Sequence, residues 1–243
     1  WLGHEDAPLL WRWRADPAQF MWGLRFLNEC RPAHTRRNIA AIVALALYSR
    51  GCLQTLRHEL GVEYDHLERG ILHLYTDPRA FAGAIEAART MREFGLDRET
   101  VSAERCVEIE PALAGARHRL AGGTYTPTDE SGDAYKFTGA LAERAAALGV
   151  EFRFNSTVDR ISISGGRIAG VIVSGPAGNQ LLNADAYVVA LGSYTPLLLR
   201  PLGVRLPVIP AKGYSATVPL SDAAVAPTVS LTDDEHRRSE EPR

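Results

Sequence analysis

Hydrophobic residues recur at spacings of three and four through the first sixty positions, a pattern that predicts helices with one apolar face each. The clearest stripe consists of Ile39, Ile42, Val43, Ala46, Leu47, Leu53 and Leu56. The longest apolar run of the chain, Ile39 to Tyr48, is about half as long as a bilayer-spanning helix. We therefore expect a buried helix here, and neither a membrane span nor a signal-peptide core.

The next segment predicts one strand and two helices. Residues 71–75 form a short apolar run that is typical of a strand. Asp77 is a favourable N-cap residue, Pro78 suits the first helical position, and Gly95 marks an end, so we expect a helix between them. A shorter helix is expected to follow from Ser102.

The pattern changes in the second half of the chain. Residues 136–148 have one apolar face and predict a helix, and residues 150–154 alternate between apolar and charged side chains as a strand does. Residues 161–173 alternate around a Gly-Gly pair and predict a hairpin. Residues 187–191 are continuously apolar, which is typical of a buried parallel strand. Together these elements predict an α/β fold.

Composition excludes several classes of function. The chain has 243 residues, 46% of them hydrophobic, and a formal net charge of −2 with no basic block, so nothing favours nucleic-acid binding. Three scattered cysteines suit neither a disulfide framework nor a Cys-x-x-Cys metal site, and they fit a reducing cytoplasmic compartment. The seven histidines have no metal-ligand spacing, and no P-loop or Gly-x-Ser-x-Gly occurs. We predict no metal site.

Four segments carry a resemblance to a known family. They are Gly122–Asp133, Gly149–Asn155, Ala184–Tyr194 and Pro210–Ser215, in that order. The chain resembles the FAD-dependent D-amino acid dehydrogenases (small subunit), within the D-amino acid oxidase and glycine oxidase group. Further matches favour the dehydrogenases over glycine oxidase; they include Tyr48-Ser49-Arg50, Leu56-Arg57 and Glu110-Pro111-Ala112-Leu113.

The resemblance implies a fold and a division of the chain. The fold would be α/β, part of a FAD-binding Rossmann-type domain with an interleaved α+β substrate domain. Residues 1–115 would be a helical part of the substrate domain with a strand near 71–75. Residues 116–203 would belong to the FAD-binding domain, and residues 204–243 would return to the substrate domain with an irregular tail.

The resemblance also implies an activity. Family members oxidise D-amino acids to 2-oxo acids and ammonia, with hydride passing from Cα to the flavin, and electrons then pass to a membrane quinone or another acceptor. The implied cofactor is FAD and the implied substrate a D-amino acid. The implied location is the cytoplasm, or the inner face of the plasma membrane as a peripheral protein without a transmembrane segment.

Cofactor contacts are implied at two places. Ala190, Gly192 and Ser193 match a segment that lies along the ADP half of FAD, where glycine allows close backbone approach. Val158 matches a position whose backbone faces the adenine. The alternatives are a strand-to-helix turn that needs glycine for geometry alone and a simple core valine.

Substrate contacts are implied at Lys212 and Tyr125. Lys212 matches a cation that faces the substrate carboxylate, and a solvated lysine at a strand start is the alternative. Tyr125 lies in a Gly-rich and Pro-containing loop, the kind of segment that often carries function. The acids of the same loop, Glu130 and Asp133, are better explained as starting the next helix. No catalytic residue is assigned.

Two departures from the family limit the prediction. The chain contains no Gly-x-Gly-x-x-Gly turn for the FAD pyrophosphate, and residues 237–243 differ from the family's continuation. We therefore expect an internal fragment of a longer flavoenzyme that is inactive alone. The alternatives are an inactive remnant with at most a partner-binding role, or another amine-oxidising flavoenzyme such as a glycine oxidase.

Overall fold

The computed structural model describes residues 17–211, 213–217, 219, 226–233 and 238–240. Within them the chain forms two compact units, each described by itself. The first unit holds residues 23–147 and the described residues after 218, and the second holds residues 17–22 and 148–217.

Helices and strands alternate along the chain in an irregular order. The helices are α1 (Pro17–Glu29), α2 (Pro32–Leu60), α3 (Pro78–Glu93), α4 (Ala103–Ile109), α5 (Ala134–Ala147) and α6 (Thr195–Leu199). The strands are β1 (Ile71–Tyr75), β2 (Glu99–Val101), β3 (Gly122–Thr126), β4 (Thr157–Ser164), β5 (Arg167–Gly175), β6 (Gly178–Leu182), β7 (Ser230–Asp233) and β8 (Arg238–Glu240). Short 3₁₀ helices cover Pro111–Arg119, Gly192–Tyr194 and Arg200–Leu202.

The first unit is built on a five-stranded sheet with the order β2-β3-β1-β7-β8. β1 pairs antiparallel with β3 and parallel with β7. Because side chains alternate across a sheet, Leu72 and Leu231 share one face, where they pack with Val101 and the buried Cys106 of α4. This face is the apolar core of the unit.

The opposite face of the same sheet is polar. His73 lies opposite Thr124, and Thr126 lies two residues further along β3, so these three side chains share that face. Helix α3 approaches it, because a Cβ built on Gly122 would lie 2.3 Å from the Phe81 ring. On the other face, a Cβ on Gly123 would lie 2.7 Å from the Cys106 sulfur, so α4 packs there.

A buried carboxylate fixes the chain where it returns to this sheet. Glu110 is 1% exposed, and its Oε1 accepts from the amide of Ala112 at 3.0 Å. Its Oε2 accepts from the Thr228 amide and hydroxyl at 2.5 and 3.0 Å and from the Val229 amide at 3.0 Å. Burial opposes the charge, but these hydrogen bonds outweigh it and lower the pKa of Glu110. The segment that leads into β7 is thereby anchored.

The second unit contains a three-stranded antiparallel sheet with the order β4-β5-β6. The predicted hairpin is confirmed, and its turn consists of Gly165 and Gly166 with φ values of 58° and 75°. Two consecutive positive φ angles are what a tight hairpin turn requires, and glycine adopts them without steric cost.

Two predicted strands of the second unit are wrong. Residues 150–154 and 187–191 lie in no strand, since neither segment pairs with any described residue. Extended apolar sequence forms a strand only when a neighbour accepts and donates its backbone hydrogen bonds. Instead, the rings of Phe152 and Phe154 stack on each other with centroids 5.7 Å apart, and Val188 is 92% exposed.

The helices of the first unit follow the sequence pattern more closely. Strand β1 and helices α3 and α5 form where they were predicted, and the Asp77 side chain accepts from the Arg79 amide at 3.1 Å as an N-cap. The prediction that α2 is buried is wrong, because Val43 is its only buried residue and Ile42, Leu45 and Tyr48 are exposed. By length and composition alone, α2 is apolar enough to cross a membrane.

The division into units differs from the predicted domain boundaries at residues 116–147. Strand β3 is hydrogen-bonded between β1 and β2, and this pairing brings the segment into the first unit. The pairing with β1 joins residues 47 to 55 positions apart, and the pairing with β2 joins residues 22 to 26 positions apart, so neither has a signal in local periodicity. Which residues belong to a cofactor-binding domain remains a prediction.

Candidate functional site

The loop between β3 and α5 lies against one face of α2. Arg50, Gln54 and Arg57 are spaced by four and three residues and therefore project from the same side of that helix. Arg50 Nη1 donates to the carbonyl and the hydroxyl of Thr128 at 3.1 and 2.7 Å. Gln54 Nε2 and Arg57 Nη1 each donate to Glu130 at 2.5 Å. Three side chains of α2 thus hold residues 128–130.

Within this contact, the Arg57–Glu130 pair is the most buried and has the most hydrogen-bond partners. The Glu130 side chain is 10% exposed, and Arg57 also donates to the Tyr64 hydroxyl at 3.1 Å and to Glu68 at 2.5 Å. Although burial opposes the charge, hydrogen bonds from Arg57 and Gln54 lower the pKa of Glu130. The hydrogen bond to Glu130 in turn raises the pKa of Arg57. Both groups are charged, and each hydrogen-bonds the other.

Asp133 has the helix-starting role expected for an acid of this loop. Its Oδ1 accepts from the amides of Tyr135 and Lys136 at 2.9 and 3.1 Å, at the first turn of α5. Its own amide donates to the Tyr64 carbonyl at 2.8 Å. Glu130, the other acid proposed for that role, pairs with α2 instead.

The carboxylate of Asp129 differs from those of Glu130 and Asp133 in its hydrogen bonding. The Asp129 side chain is 33% exposed, and its Oδ1 forms an ion pair with Arg50 Nη1 at 3.6 Å, a separation beyond hydrogen-bond distance. Within the described part of the chain, no side chain or amide donates a hydrogen bond to this carboxylate. Burial raises the pKa of Asp129, with attraction to Arg50, Arg98 and His73 opposing the rise and repulsion by Glu130 adding to it.

The groups that surround Asp129 lie on the polar face of the sheet. Arg98 donates through Nε and Nη2 to the Thr124 hydroxyl at 3.1 and 2.9 Å. The Thr126 hydroxyl is buried and bonds to none of the described residues. We call this group of side chains the Asp129 cluster; it consists of Arg50, His73, Arg98, Thr124, Thr126 and Asp129.

Tyr125 lies on the other face of β3 from this cluster. Its ring packs against the apolar core, and its hydroxyl donates to the Arg69 carbonyl at 2.8 Å. Burial raises the pKa of Tyr125, and repulsion by Glu99 adds to the rise. The structure therefore shows a supporting contact for Tyr125, and a role in substrate binding stays a prediction.

The predicted cofactor residues lie in the second unit. Val158 is on β4 opposite Val173, and Ala190, Gly192 and Ser193 follow one another where the chain enters a 3₁₀ turn. Gly192 has a φ of 53°, a conformation that glycine adopts readily. Lys212 lies outside the described residues.

Sequence reasoning missed the contact between α2 and the Asp129–Glu130 loop. In the family resemblance, Tyr48-Ser49-Arg50, Leu56-Arg57 and the loop that contains residues 128–130 are separate matches. The usable signal was the helical spacing of Arg50, Gln54 and Arg57, which places three donors on one face of a long apolar helix. Such a face needs acceptors when it packs, and a loop with adjacent carboxylates offers them.

Comparison with known proteins decides the family. The profile of the family described as "FAD dependent oxidoreductase" (DAO) matches residues 10–239. The chain belongs to this family. The predicted family resemblance and the mixed α/β fold class are thereby confirmed.

Curated relatives place the chain within this FAD-dependent oxidoreductase family more narrowly. It is 69% identical over 238 residues to the D-amino acid dehydrogenase of Dechloromonas aromatica, covering 98% of this chain and 57% of that protein. It is 52% identical over 238 residues to the D-amino acid dehydrogenase of Paramagnetospirillum magneticum, covering 98% and 56%. The chain thus spans about half the length of the curated relatives it matches.

Two solved structures resemble this chain in fold. Glycine oxidase from Geobacillus kaustophilus is 28% identical with a TM-score of 0.57, covering 67% of this chain and 43% of that one. L-proline dehydrogenase from P. horikoshii is 20% identical with a TM-score of 0.55, covering 72% and 42%. The second likeness concerns the fold alone.

The described residues fit FAD only in part. Gly192 leaves an open backbone, but a Cβ built there would meet nothing within 4 Å, so no cradle surrounds it. No Gly-x-Gly-x-x-Gly turn occurs in the sequence to bind a pyrophosphate. Residues 190–193 and Val158 therefore present exposed backbone that a cofactor could contact on one side, and they do not form a closed binding site.

Proposed function

We propose that this chain is part of an FAD-dependent D-amino acid dehydrogenase, which oxidises D-amino acids to 2-oxo acids and ammonia. The 69% identity over 98% of the chain to the Dechloromonas aromatica dehydrogenase carries the proposal. In such an enzyme the flavin accepts the hydride, while the protein binds and orients the amino acid.

The proposed roles of the chain's residues follow its two units. Val158, Ala190, Gly192 and Ser193 would contact the ADP half of FAD through their backbone. Lys212 would hold the substrate carboxylate, and Tyr125 would support the substrate side through its contact with the chain at Arg69.

The proposed electron acceptor is a membrane quinone or another carrier. The proposed location is the cytoplasm or, as a peripheral protein, the inner face of the plasma membrane. The exposed apolar residues of α2 are compatible with either location.

A chimera tests the proposed function. The 238-residue segment of this chain that aligns with the Dechloromonas aromatica dehydrogenase replaces its counterpart in that protein, and reduction of a dye by D-alanine is measured on the purified protein. We expect turnover within about tenfold of the parent, which corresponds to about 1.4 kcal/mol of transition-state stabilisation. A folded chimera that retains FAD but oxidises no D-amino acid would support the inactive remnant, and a preference for glycine would support a glycine oxidase.

The same chimera tests Lys212. Replacement by methionine keeps much of the aliphatic stem and removes the charge. A charge-assisted hydrogen bond to a carboxylate contributes about 1.5–3 kcal/mol, so we expect the KM for D-alanine to rise roughly ten- to a hundredfold. Unchanged steady-state kinetics in Lys212→Met would remove this residue from the substrate site.

A further inference from the structure

The Asp129 cluster contains polar groups whose hydrogen-bonding capacity is not fully used by the residues that the structure describes. The Asp129 carboxylate accepts no hydrogen bond from the described residues, and the buried Thr126 hydroxyl has no partner among them. Arg50 bonds Thr128 through Nη1 only, which leaves its Nε and Nη2 without a described acceptor. Arg98 donates through Nε and Nη2 to Thr124, and its Nη1 donates a long hydrogen bond to the Met91 sulfur at 4.0 Å.

Two other carboxylates of the same unit, those of Glu130 and Glu110, do have hydrogen-bond donors, in contrast to that of Asp129. Glu130 has two side-chain donors at 2.5 Å, and Glu110 accepts four hydrogen bonds. A half-buried carboxylate that lacks such donors destabilises the folded state when it is ionised. Groups kept at a cost to stability are found preferentially at binding sites.

The unused groups define the chemistry of a complementary ligand. A carboxylate without donors calls for a cationic donor, and two guanidinium groups with unused N–H bonds call for an anionic acceptor. The two functions must be separated by only a few bonds, because Arg50 Nη1 lies 3.6 Å from Asp129 Oδ1 and Arg98 bonds Thr124 on the sheet face where Asp129 follows β3. The Asp129 amide donates to the Thr126 carbonyl at 3.2 Å, which ties Asp129 to the end of that strand. A zwitterionic α-amino acid carries both.

We propose that the Asp129 cluster binds a free α-amino acid at a site other than the substrate contact proposed for Lys212, with the ligand ammonium on Asp129 and its carboxylate on Arg50 and Arg98. The choice of an amino acid rests on the proposed function. The Thr126 hydroxyl lies on the same sheet face and supplies a further donor or acceptor to the ligand or to a water bound beside it. Solvent reaches part of the cluster, since the Arg50 and Asp129 side chains are 26% and 33% exposed.

The test uses 2-aminoisobutyrate, an α-amino acid that has no Cα hydrogen and therefore cannot be oxidised. Its binding to the FAD-loaded chimera is measured by calorimetric titration. Asp129→Asn keeps the size of the side chain and removes the charge, and Glu143→Gln, an exposed carboxylate of α5, is the matched control. Methylammonium and acetate serve as probes for the two halves of the ligand.

We expect saturable binding to the parent chimera and to Glu143→Gln, and binding to Asp129→Asn that is weaker by about tenfold or more. Arg50→Met should weaken acetate more than methylammonium, and Asp129→Asn should do the reverse. Identical isotherms for the parent and Asp129→Asn would overturn the site, as would no saturable binding at all, which would leave only water in the cluster. Turnover of D-alanine is measured separately, so a chimera that is active but shows unchanged isotherms rejects this site and leaves the proposed function standing.

Discussion

The folded protein shifts the pKa values of Asp129 and Glu110 in opposite directions, so neutralising these two carboxylates should change the stability in opposite directions. Asp129 has a raised pKa because of burial, so its ionised form costs stability above the folded pKa. We expect Asp129→Asn to raise the thermal midpoint of the chimera near pH 7. The gain should shrink as the pH falls through the folded pKa, because Asp129 is then protonated in the parent too. A lower midpoint at pH 7 would contradict this.

Glu110 should behave in the reverse manner. Its folded pKa is lowered, so its contribution is complete above the pKa of a free glutamate, near 4.3, and is lost as the pH falls below that value. Glu110→Gln leaves amide donors of the Thr228 segment imperfectly paired and should cost about 1–3 kcal/mol at neutral pH. Urea titrations at pH 7 and pH 4 measure this difference. An equal cost at both pH values would argue against the charge as its source.

The roles of single side chains could be predicted only where their partners are close in the sequence. Asp77 and Asp133 cap helices that begin within three residues of them, and both roles follow from the sequence. Glu110 bonds Thr228, 118 residues away, and no sequence spacing indicates that contact. The same limit applies to the Asp129 cluster, whose members come from helix α2, strands β1 and β3, and two loops.

At the scale of elements, α2 is held to the loop by its polar face. Arg57→Met leaves the nearly buried Glu130 without its main partner and should cost about 3 kcal/mol of unfolding free energy. The double variant Arg57→Met, Glu130→Gln should recover part of that loss, because no uncompensated charge remains.

Arg36 on the same helix is the control for this prediction. It pairs with Glu93 at 2.6 Å, but both side chains are about half exposed. An exposed pair contributes about 0–1 kcal/mol, so Arg36→Met should change the unfolding free energy little. Equal losses in Arg36→Met and Arg57→Met would show that the burial of Glu130 does not matter.

Elements with their own periodicity were predicted, and those that depend on a partner were not. The hairpin β4–β5 contains its turn and both strands within one local segment. Residues 150–154 and 187–191 have equally good strand patterns, yet nothing described pairs with them. The polar face of the first sheet escaped prediction because β3 reads Gly-Gly-Thr-Tyr-Thr, without apolar alternation.

For the whole molecule, we predict that the 243-residue chain alone neither retains FAD nor oxidises D-amino acids. The described backbone near Val158 and Gly192 offers an edge to the cofactor, and the sequence has no glycine turn for its pyrophosphate. Exposed side chains such as Phe154 and Val188 should also promote aggregation. Purification followed by an absorption spectrum and a dye assay with D-alanine tests this. A yellow preparation with one flavin per chain would refute it.

The anchor at Glu110 also imposes an order on biosynthesis. Its carboxylate leaves the ribosome more than a hundred residues before the amides of Thr228 and Val229 that it accepts from. During that interval the edge of β1 that receives β7 stays open, while all of residues 148–217 emerges and can form its own three-stranded sheet. The unit encoded in the middle of the chain can therefore fold before the unit that surrounds it is complete. Until residue 233 has been synthesised, the carboxylate of Glu110 lacks its donors from Thr228 and Val229, and β1 has an unpaired edge, which is a site for aggregation.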